Sequence, residues 1–418
     1  MTQKRSPEAA EPLKPSIRPV TRRQVLTGAL ALGAMTLGGC GRSPEQVLRL
    51  GAVTGSVPAY LPGAFRRFVQ SLAGQSPLDL DLEVQSLGTS EAIAQTFLQW
   101  KGLAAGETPS GLPGWVPFFG RKEVTPTDLM LLGDRWLPTA VREGWVQTLG
   151  VDLEGTAAIA DQRWKAVMGG ESKAKSEVGS PLGDIFGAPY RWGTTVLVYR
   201  QDKEDEMGGP ITDWSDLWRS QLRGKVILLD QAREVIGAVL KSLGRSYNEG
   251  DLQAVDDLGQ SLEALHRQAL FYSNTNYLQP LLLGDAWVAM GWSRDVLPIL
   301  PRRNKLAAVV PQSGSALWAD LWVRPTVERD EADSQPNQGG KSLDISQLRE
   351  EWIRFCWTSD IARRVTLQTT GAAPRFLKGD WGELEKDNRE SSGDRIRFPK
   401  GNTLEKCEFL LPLSNATK

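Results

Sequence analysis

The chain has 418 residues, more than one compact domain usually holds and a comfortable length for two. Hydrophobic residues make up 40% and charged residues 24%, a globular composition without an extreme. A formal net charge of −1 leaves no basic excess for nucleic acid, and three Cys with a single His form no cluster at metal-ligand spacing.

In chain order, the first segment is a targeting signal. "PVTRRQVLTGALALGAMTLGGC" pairs Arg22 with Arg23, continues uncharged from Gln24 to Gly39, and ends on Cys40. The run is too short to span a bilayer comfortably, and the paired Arg favours the twin-arginine export route. "LGGC" resembles a bacterial lipobox, so cleavage before Cys40 and a lipid on its sulfur are expected. Residues 1–40 hold six of the 49 Lys and Arg and two of the 50 Asp and Glu, so the remainder carries 43 basic and 48 acidic side chains, net −5. That mild excess favours a cationic ligand over an anionic one.

"QVLRLGAV" (46–53) and "LDLDLEV" (78–84) read as strands, the second with Leu78, Leu80, Leu82 and Val84 on one face. Residues 101–127 are rich in Gly and Pro and carry Trp115, Phe118 and Phe119, which reads as a loop. Residues 168–182 and 326–344 are polar loops as well. "GKVILLD" (224–230) is nearly continuously apolar, as in a parallel strand covered on both faces. "LQAVDDLGQSLEALHRQ" (252–268) puts Val255, Leu258, Leu262 and Leu265 on one helical stripe. Alternating strands and helices make the class α/β.

Catalytic constellations are scarce. His266 sits on that amphipathic helix and reads as a surface residue. Neither GxSxG nor GxGxxG occurs, and "GGKS" (339–342) lacks the first Gly of a phosphate loop, with Gln335 in its place. The pattern is that of a binding protein, without enzyme activity or cofactor. Cys356 and Cys407 either pair in an oxidising compartment or stay as two buried thiols.

"SALWADLWVRP" (315–325) poses the sharpest problem. In an extended strand Trp318, Asp320 and Trp322 share a face, and an unpaired carboxylate between indoles costs several kcal/mol. A cation is expected to meet it.

Several segments resemble, in order, the spermidine/putrescine-binding proteins of polyamine ABC transporters. They are "TPTDLMLLGDRWLPTAVREGWVQTL" (125–149), "APYRWGTTVLVYR" (188–200), "ITDWSDLWRSQLRGKVILLDQAREVIGAVLKSLGRSYN" (211–248), "LLLGDAWVAMGWS" (281–293) and "PQSGSALWADLWVRP" (311–325). The resemblance implies the two-lobed periplasmic-binding-protein fold of type II, with mostly parallel sheets and a crossed hinge. It implies lobe 1 at 46–190 and 316–383, and lobe 2 at 191–315 and 384–418. By the same resemblance Trp292 and Trp318 stack on the ligand, Asp320 is the principal amine-binding acid and Glu234 a second. Indole faces attract desolvated cations and carboxylates give them charge-assisted hydrogen bonds, which suits a polyamine.

The departures are specific. Gln231 stands where the family has another acid, although Asp230 is adjacent. Gly133 and Arg135 replace a Ser and a Tyr, with Trp136 next door, and Ala372 replaces a Tyr. Tyr60 is the one aromatic residue in "TGSVPAY". Trp322 reads as core, and Glu234 reads otherwise as a helix-start acid beside Arg233. The implied function is capture of a putrescine- or spermidine-like cation by a periplasmic, lipid-anchored monomer that delivers it to an inner-membrane permease. Two alternatives stand beside it. One is a receptor for another solute, such as an amino compound whose carboxylate Arg135 could hold. The other is a lipid-anchored interaction protein that uses the aromatic segment 101–127, which is otherwise expected to be peripheral.

Overall fold

The computed structural model describes residues 46–73, 80–88, 90–100, 125–151, 156–169, 184–326, 343–378 and 401–412. Cys40, Arg22, Arg23 and nearly all of 101–127 lie outside the described residues.

Strands β1 (Gln46–Ala52), β2 (Leu80–Ser86) and β3 (Leu129–Gly133) begin the sheet, with β1 parallel to both neighbours. A two-residue strand, β4 (Val146–Gln147), follows them. β5 (Gly187–Arg200) leads to β6 (Val226–Leu228), β7 (Ala269–Tyr272), β8 (Val288–Trp292) and β9 (Leu306–Val309). β10 (Ala316–Pro325) runs back, and β11 (Glu408–Phe409) closes the described chain. The strand order is β2-β1-β3-β10-β5-β8-β6-β7, with β4 and β11 on β10 and β9 on β5. The helices that cover it include α1 (Leu61–Ala73), α2 (Ser90–Trp100), α3 (Ala232–Ser242), α4 (Leu258–Gln268), α5 (Ile345–Trp357) and α6 (Ser359–Gln368).

Two separate cores explain this order. One gathers Leu48, Phe65, Leu131, Trp322, Trp352 and their neighbours. The other gathers Val196, Trp214, Ile227, Val239, Met290 and theirs. β5 enters from the first core with Tyr190 and Trp192 and ends in the second with Val196 to Tyr199. β10 travels the opposite way beside it, antiparallel, with Asp320 opposite Arg191. Both strands are buried almost throughout, as strands joining two cores must be.

At this crossing the backbone departs from simple alternation. The register of β10 on β5 shifts between Asp320 and Leu321, with Tyr190 of β5 as the extra residue, whereas β10 pairs with β3 unbroken from Asp320 to Val323. Trp318 packs in the second core and Trp322 in the first, as β10 passes from one to the other. Trp322 packs edge-on against Trp352, with ring centroids 5.8 Å apart. Gly193 is required where β5 passes Trp318: a Cβ there would fall 2.3 Å from the indole ring and 2.4 Å from Ser293 Oγ.

Other expectations meet local chemistry. Leu80 and Leu82 are buried as the alternation predicts, whereas Val84 is exposed on this edge strand. The stripe at 252–268 breaks in two. Asp257 takes a left-handed conformation (φ 63°), so α4 starts at Leu258 and Val255 precedes it. Cys356 and Cys407 are both free and buried, and burial raises both thiol pKa values, that of Cys407 to about 11. The segment 401–412 joins the two cores. Leu404, Cys407 and Phe409 pack in the first, while Glu408 accepts hydrogen bonds from Lys241 and Ser246 beside the second.

Candidate functional site

The cleft lies where the crossing strands meet the ends of β3 and β8. After β3 the chain turns through Gly133 into a short 3₁₀ turn, Asp134–Trp136, and this turn places Asp134, Arg135 and Trp136 on one wall. β8 ends at Trp292, and Arg294 follows two residues on. Glu234 stands in the first turn of α3, where the helix dipole favours an acid. Trp318 and Asp320 come from β10. All of these line one cavity of about 40 Å³ that is partly open to solvent. That holds a few waters and is well below the several hundred Å³ of ordinary ligand pockets.

Of the residues singled out in the sequence, Asp320, Trp318, Trp292, Glu234, Arg135 and Trp136 come together here. Gln231 touches the group indirectly, because its Oε1 accepts a hydrogen bond from Arg135 Nη1 at 2.6 Å. Arg135 lies in the turn whose Trp136 packs on the first core, and Gln231 precedes α3 of the second, so this contact bridges elements of the two cores. Tyr60 is not among the lining residues. It packs on the first core with the Arg364 guanidinium 5.7 Å from its ring.

Three residues not singled out in the sequence bear on the cleft: Asp134 and Arg294 line it, and Arg191 stands behind it, paired with Asp320. Arg191 Nε donates to Asp320 Oδ2 at 2.7 Å, and both side chains are buried. The cation that Asp320 needs is thus supplied by the neighbouring strand. Arg294 lays its guanidinium 5.0 Å from the Trp292 ring centroid and 5.5 Å from that of Trp318. Arg135 adds a further cation 5.8 Å from Trp292, and Arg191 lies 6.0 Å from Trp318. Asp134, buried, accepts from Ala319 N at 3.1 Å, and its pKa is pushed up to about 7 by loss of hydration. The signal for Asp134 was its place at the start of a turn facing Trp136. Arg191 could have been suspected as a charge between Tyr190 and Trp192 inside an otherwise apolar strand.

Glu234 is held without a cation in contact. Thr195 Oγ1 donates to its carboxylate at 3.0 Å, and Trp292 Nε1 donates at 3.4 Å. Burial raises its pKa, and these two hydrogen bonds with the more distant Arg135 pull the other way. The ring of Trp292 is therefore oriented by the very acid beside it. No group of His, Cys, Asp and Glu among the described residues is arranged to hold a metal ion.

Residues 121–335, just over half of the chain, match the model of the family described as bacterial extracellular solute-binding protein. The chain belongs to this family. A family of solute-binding proteins binds its small molecules and does not transform them. The spermidine/putrescine ABC transporter substrate-binding protein of Streptococcus pneumoniae superposes with a TM-score of 0.61 at 17% identity, covering 88% of this chain and 94% of that one. That likeness establishes the two-lobed periplasmic-binding-protein fold. The spermidine/putrescine-binding periplasmic protein of Salmonella typhimurium is 24% identical over 232 residues, 56% of this chain and 60% of that protein. The putrescine/cadaverine-binding protein of Pseudomonas aeruginosa is 28% identical over 151 residues, 34% of this chain and 43% of that one. This solute-binding protein thus spans about 60% of the length of the first of these curated relatives.

Proposed function

We propose that this chain is the solute-binding component of an ABC transporter, capturing a small amine between its lobes and delivering it to a membrane permease. One observation carries the reading. Glu234 is a buried carboxylate in the cleft with no ion-pair partner among the described residues, and it accepts from the N–H edge of the Trp292 indole. A buried acid of this kind is costly unless a cation comes to it. An ammonium would meet the carboxylate through a charge-assisted hydrogen bond and the Trp292 ring through its quadrupole. The polyamines named for the relatives are the first candidates.

Two crossing strands between two cores suit a hinge that opens and closes the cleft. Arg135, released from Gln231, would open the mouth. The twin Arg and Cys40 support export of the folded protein and a lipid anchor, and Cys40→Ala is then expected to abolish lipid labelling. The fold itself is compatible with action as a monomer.

A thermal-shift screen of the exported protein against putrescine, spermidine, spermine, amino acids and sugars tests the reading. A ligand at 100 times its dissociation constant adds about 2.7 kcal/mol, so a binding amine raises the melting temperature. A shift with sugars alone, and with no amine, refutes the reading.

A further inference from the structure

The charges of the cleft are balanced once Arg191, which neutralises Asp320 from behind the lining, is counted. Three acids line the cleft, Asp134, Glu234 and Asp320, with two guanidinium groups, those of Arg135 and Arg294. A site for a bare dication needs a negative excess, because each ammonium must replace its hydration with opposite charge. Here the indole faces on which such a cation would stack already carry guanidinium groups of the chain itself.

Arg294 is the informative one. Its side chain is 23% exposed, and its nearest carboxylate, Asp295, lies 3.8 Å away, beyond hydrogen-bond distance. Asp295 Oδ2 is moreover engaged by Tyr277 Oη at 2.7 Å. The Arg294 guanidinium makes no hydrogen bond to a described residue, while it lies over the rings of both Trp292 and Trp318. A guanidinium held by aromatic faces presents its N–H edge as a planar fork, the geometry that receives a carboxylate. A second observation points the same way. The indole N–H groups of Trp136 and Trp318, both lining the cleft, are buried with no acceptor among the described residues. An indole nitrogen can only donate, so an oxygen of a ligand could satisfy it and an ammonium could not.

We propose that the solute of this cleft is an amino carboxylate, its amine end directed to Glu234 and its carboxylate end received by Arg294 with Arg135. This rests on the reading of the cleft as an amine site and narrows it from polyamines to zwitterions. Arg294 is then the residue that sets specificity, since it attracts one end of a zwitterion and repels the second ammonium of a diamine.

Matched probes test it. 4-Aminobutyrate and 5-aminovalerate differ from putrescine and cadaverine only in bearing a carboxylate in place of one aminomethyl group. In calorimetric titrations of the exported protein, at least one of the two amino carboxylates is expected to bind about tenfold or more tighter than its diamine. Arg294→Gln is expected to weaken the amino carboxylate about tenfold and to strengthen the diamine. Arg294→Lys, which keeps the charge and loses the fork, should fall between. Unliganded melting of both variants checks that they fold. Diamines binding as tightly as the amino carboxylates, with a ratio that Arg294→Gln leaves unchanged, overturn the proposal while the amine reading stands. Binding of glutarate without any amine removes the amine reading and this proposal, leaving only an anion site. Binding of none of these probes overturns the proposal as well.

Discussion

Asp320 and Glu234 line the same cleft and are buried to nearly the same degree, yet the fold treats them differently. Asp320 faces Arg191 across two hydrogen-bonded strands, 2.7 Å from its guanidinium. Glu234, at the start of α3, has a hydroxyl and an indole N–H as its partners. Asp134, on the opposite wall, relies on backbone N–H groups. The crossing carries its counter-ion with it, whereas the walls leave theirs to be supplied. A charge that is always paired can hold two lobes in register. One that lacks a permanent cation can report a ligand. The difference assigns Asp320 first to the hinge, and Glu234 and Asp134 first to recognition.

Removing the permanent partner should have the largest effect. Arg191→Ala strands a buried carboxylate between Trp318 and the first core, which costs about 3–5 kcal/mol. Urea denaturation of the unliganded protein measures it. Replacing both partners, Arg191→Met with Asp320→Leu, should recover most of the loss, because no charge is then left buried. Asp320→Asn extends the contrast: it should lower unliganded stability while leaving amine affinity within about tenfold. A variant that binds far more weakly but melts unchanged would instead make Asp320 a ligand residue, with Arg191 displaced on binding.

The wall acids should show themselves through pH. Burial moves the pKa of Asp134 from its ordinary 3.8 to about 7. The folded protein thus holds this proton more tightly than the unfolded chain. Its contribution is fully present below about pH 4 and is lost as the pH rises towards 7. The integrated change is at most about 4 kcal/mol, at 1.36 kcal/mol per pKa unit. Glu234, whose pKa is also raised, acts in the same direction. Urea midpoints for wild type should therefore fall between pH 4 and 7, and Asp134→Asn should flatten part of that slope. Equal slopes in the two proteins would mean that Asp134 is hydrated in solution.

Recognition itself should be smaller in energy and confined to binding. Glu234→Gln preserves shape and the Thr195 contact but removes the charge. An amine that binds wild type should then lose about 2–3 kcal/mol of affinity in calorimetric titration. Melting of the unliganded variant should hold or rise, since a buried unpaired acid is no longer present. Loss of stability with unchanged affinity would return Glu234 to the role of a helix-start acid.

The sequence made the walls of this cleft legible and left its charges obscure. Trp292, Trp318, Glu234, Arg135 and Trp136 sit in four of the segments whose order resembles a known family, and the fold brings them together. Arg191 and Arg294 were missed for a physical reason. Arg191 directly follows Tyr190 and Arg294 comes two residues after Trp292, local patterns that do not show what lies across the sheet, and the partner of Arg191 is 129 residues away. Nor does alternation show that Trp318 and Trp322 pack in different cores, because β10 passes from one core to the other along its length.

Tyr60 gives the finest test of where the cleft ends. Its ring packs on the first core beneath Arg364, and its hydroxyl is buried with no hydrogen-bond partner among the described residues. Burial accordingly raises its pKa. Tyr60→Phe keeps the ring and its attraction for Arg364, an interaction of about 0.5–1 kcal/mol at a partly exposed site. It removes only an unsatisfied polar group, so stability should stay within about 0.5 kcal/mol of wild type or rise slightly. Amine affinity should stay within about twofold, because nothing that lines the cleft is touched. A tenfold loss of affinity at constant melting temperature would mean that the ligand reaches Tyr60 once the lobes part. The binding surface would then extend from the crossing strands to the N-terminus of α1, and a longer solute than one spanning Glu234 to Arg294 would be needed to fill it.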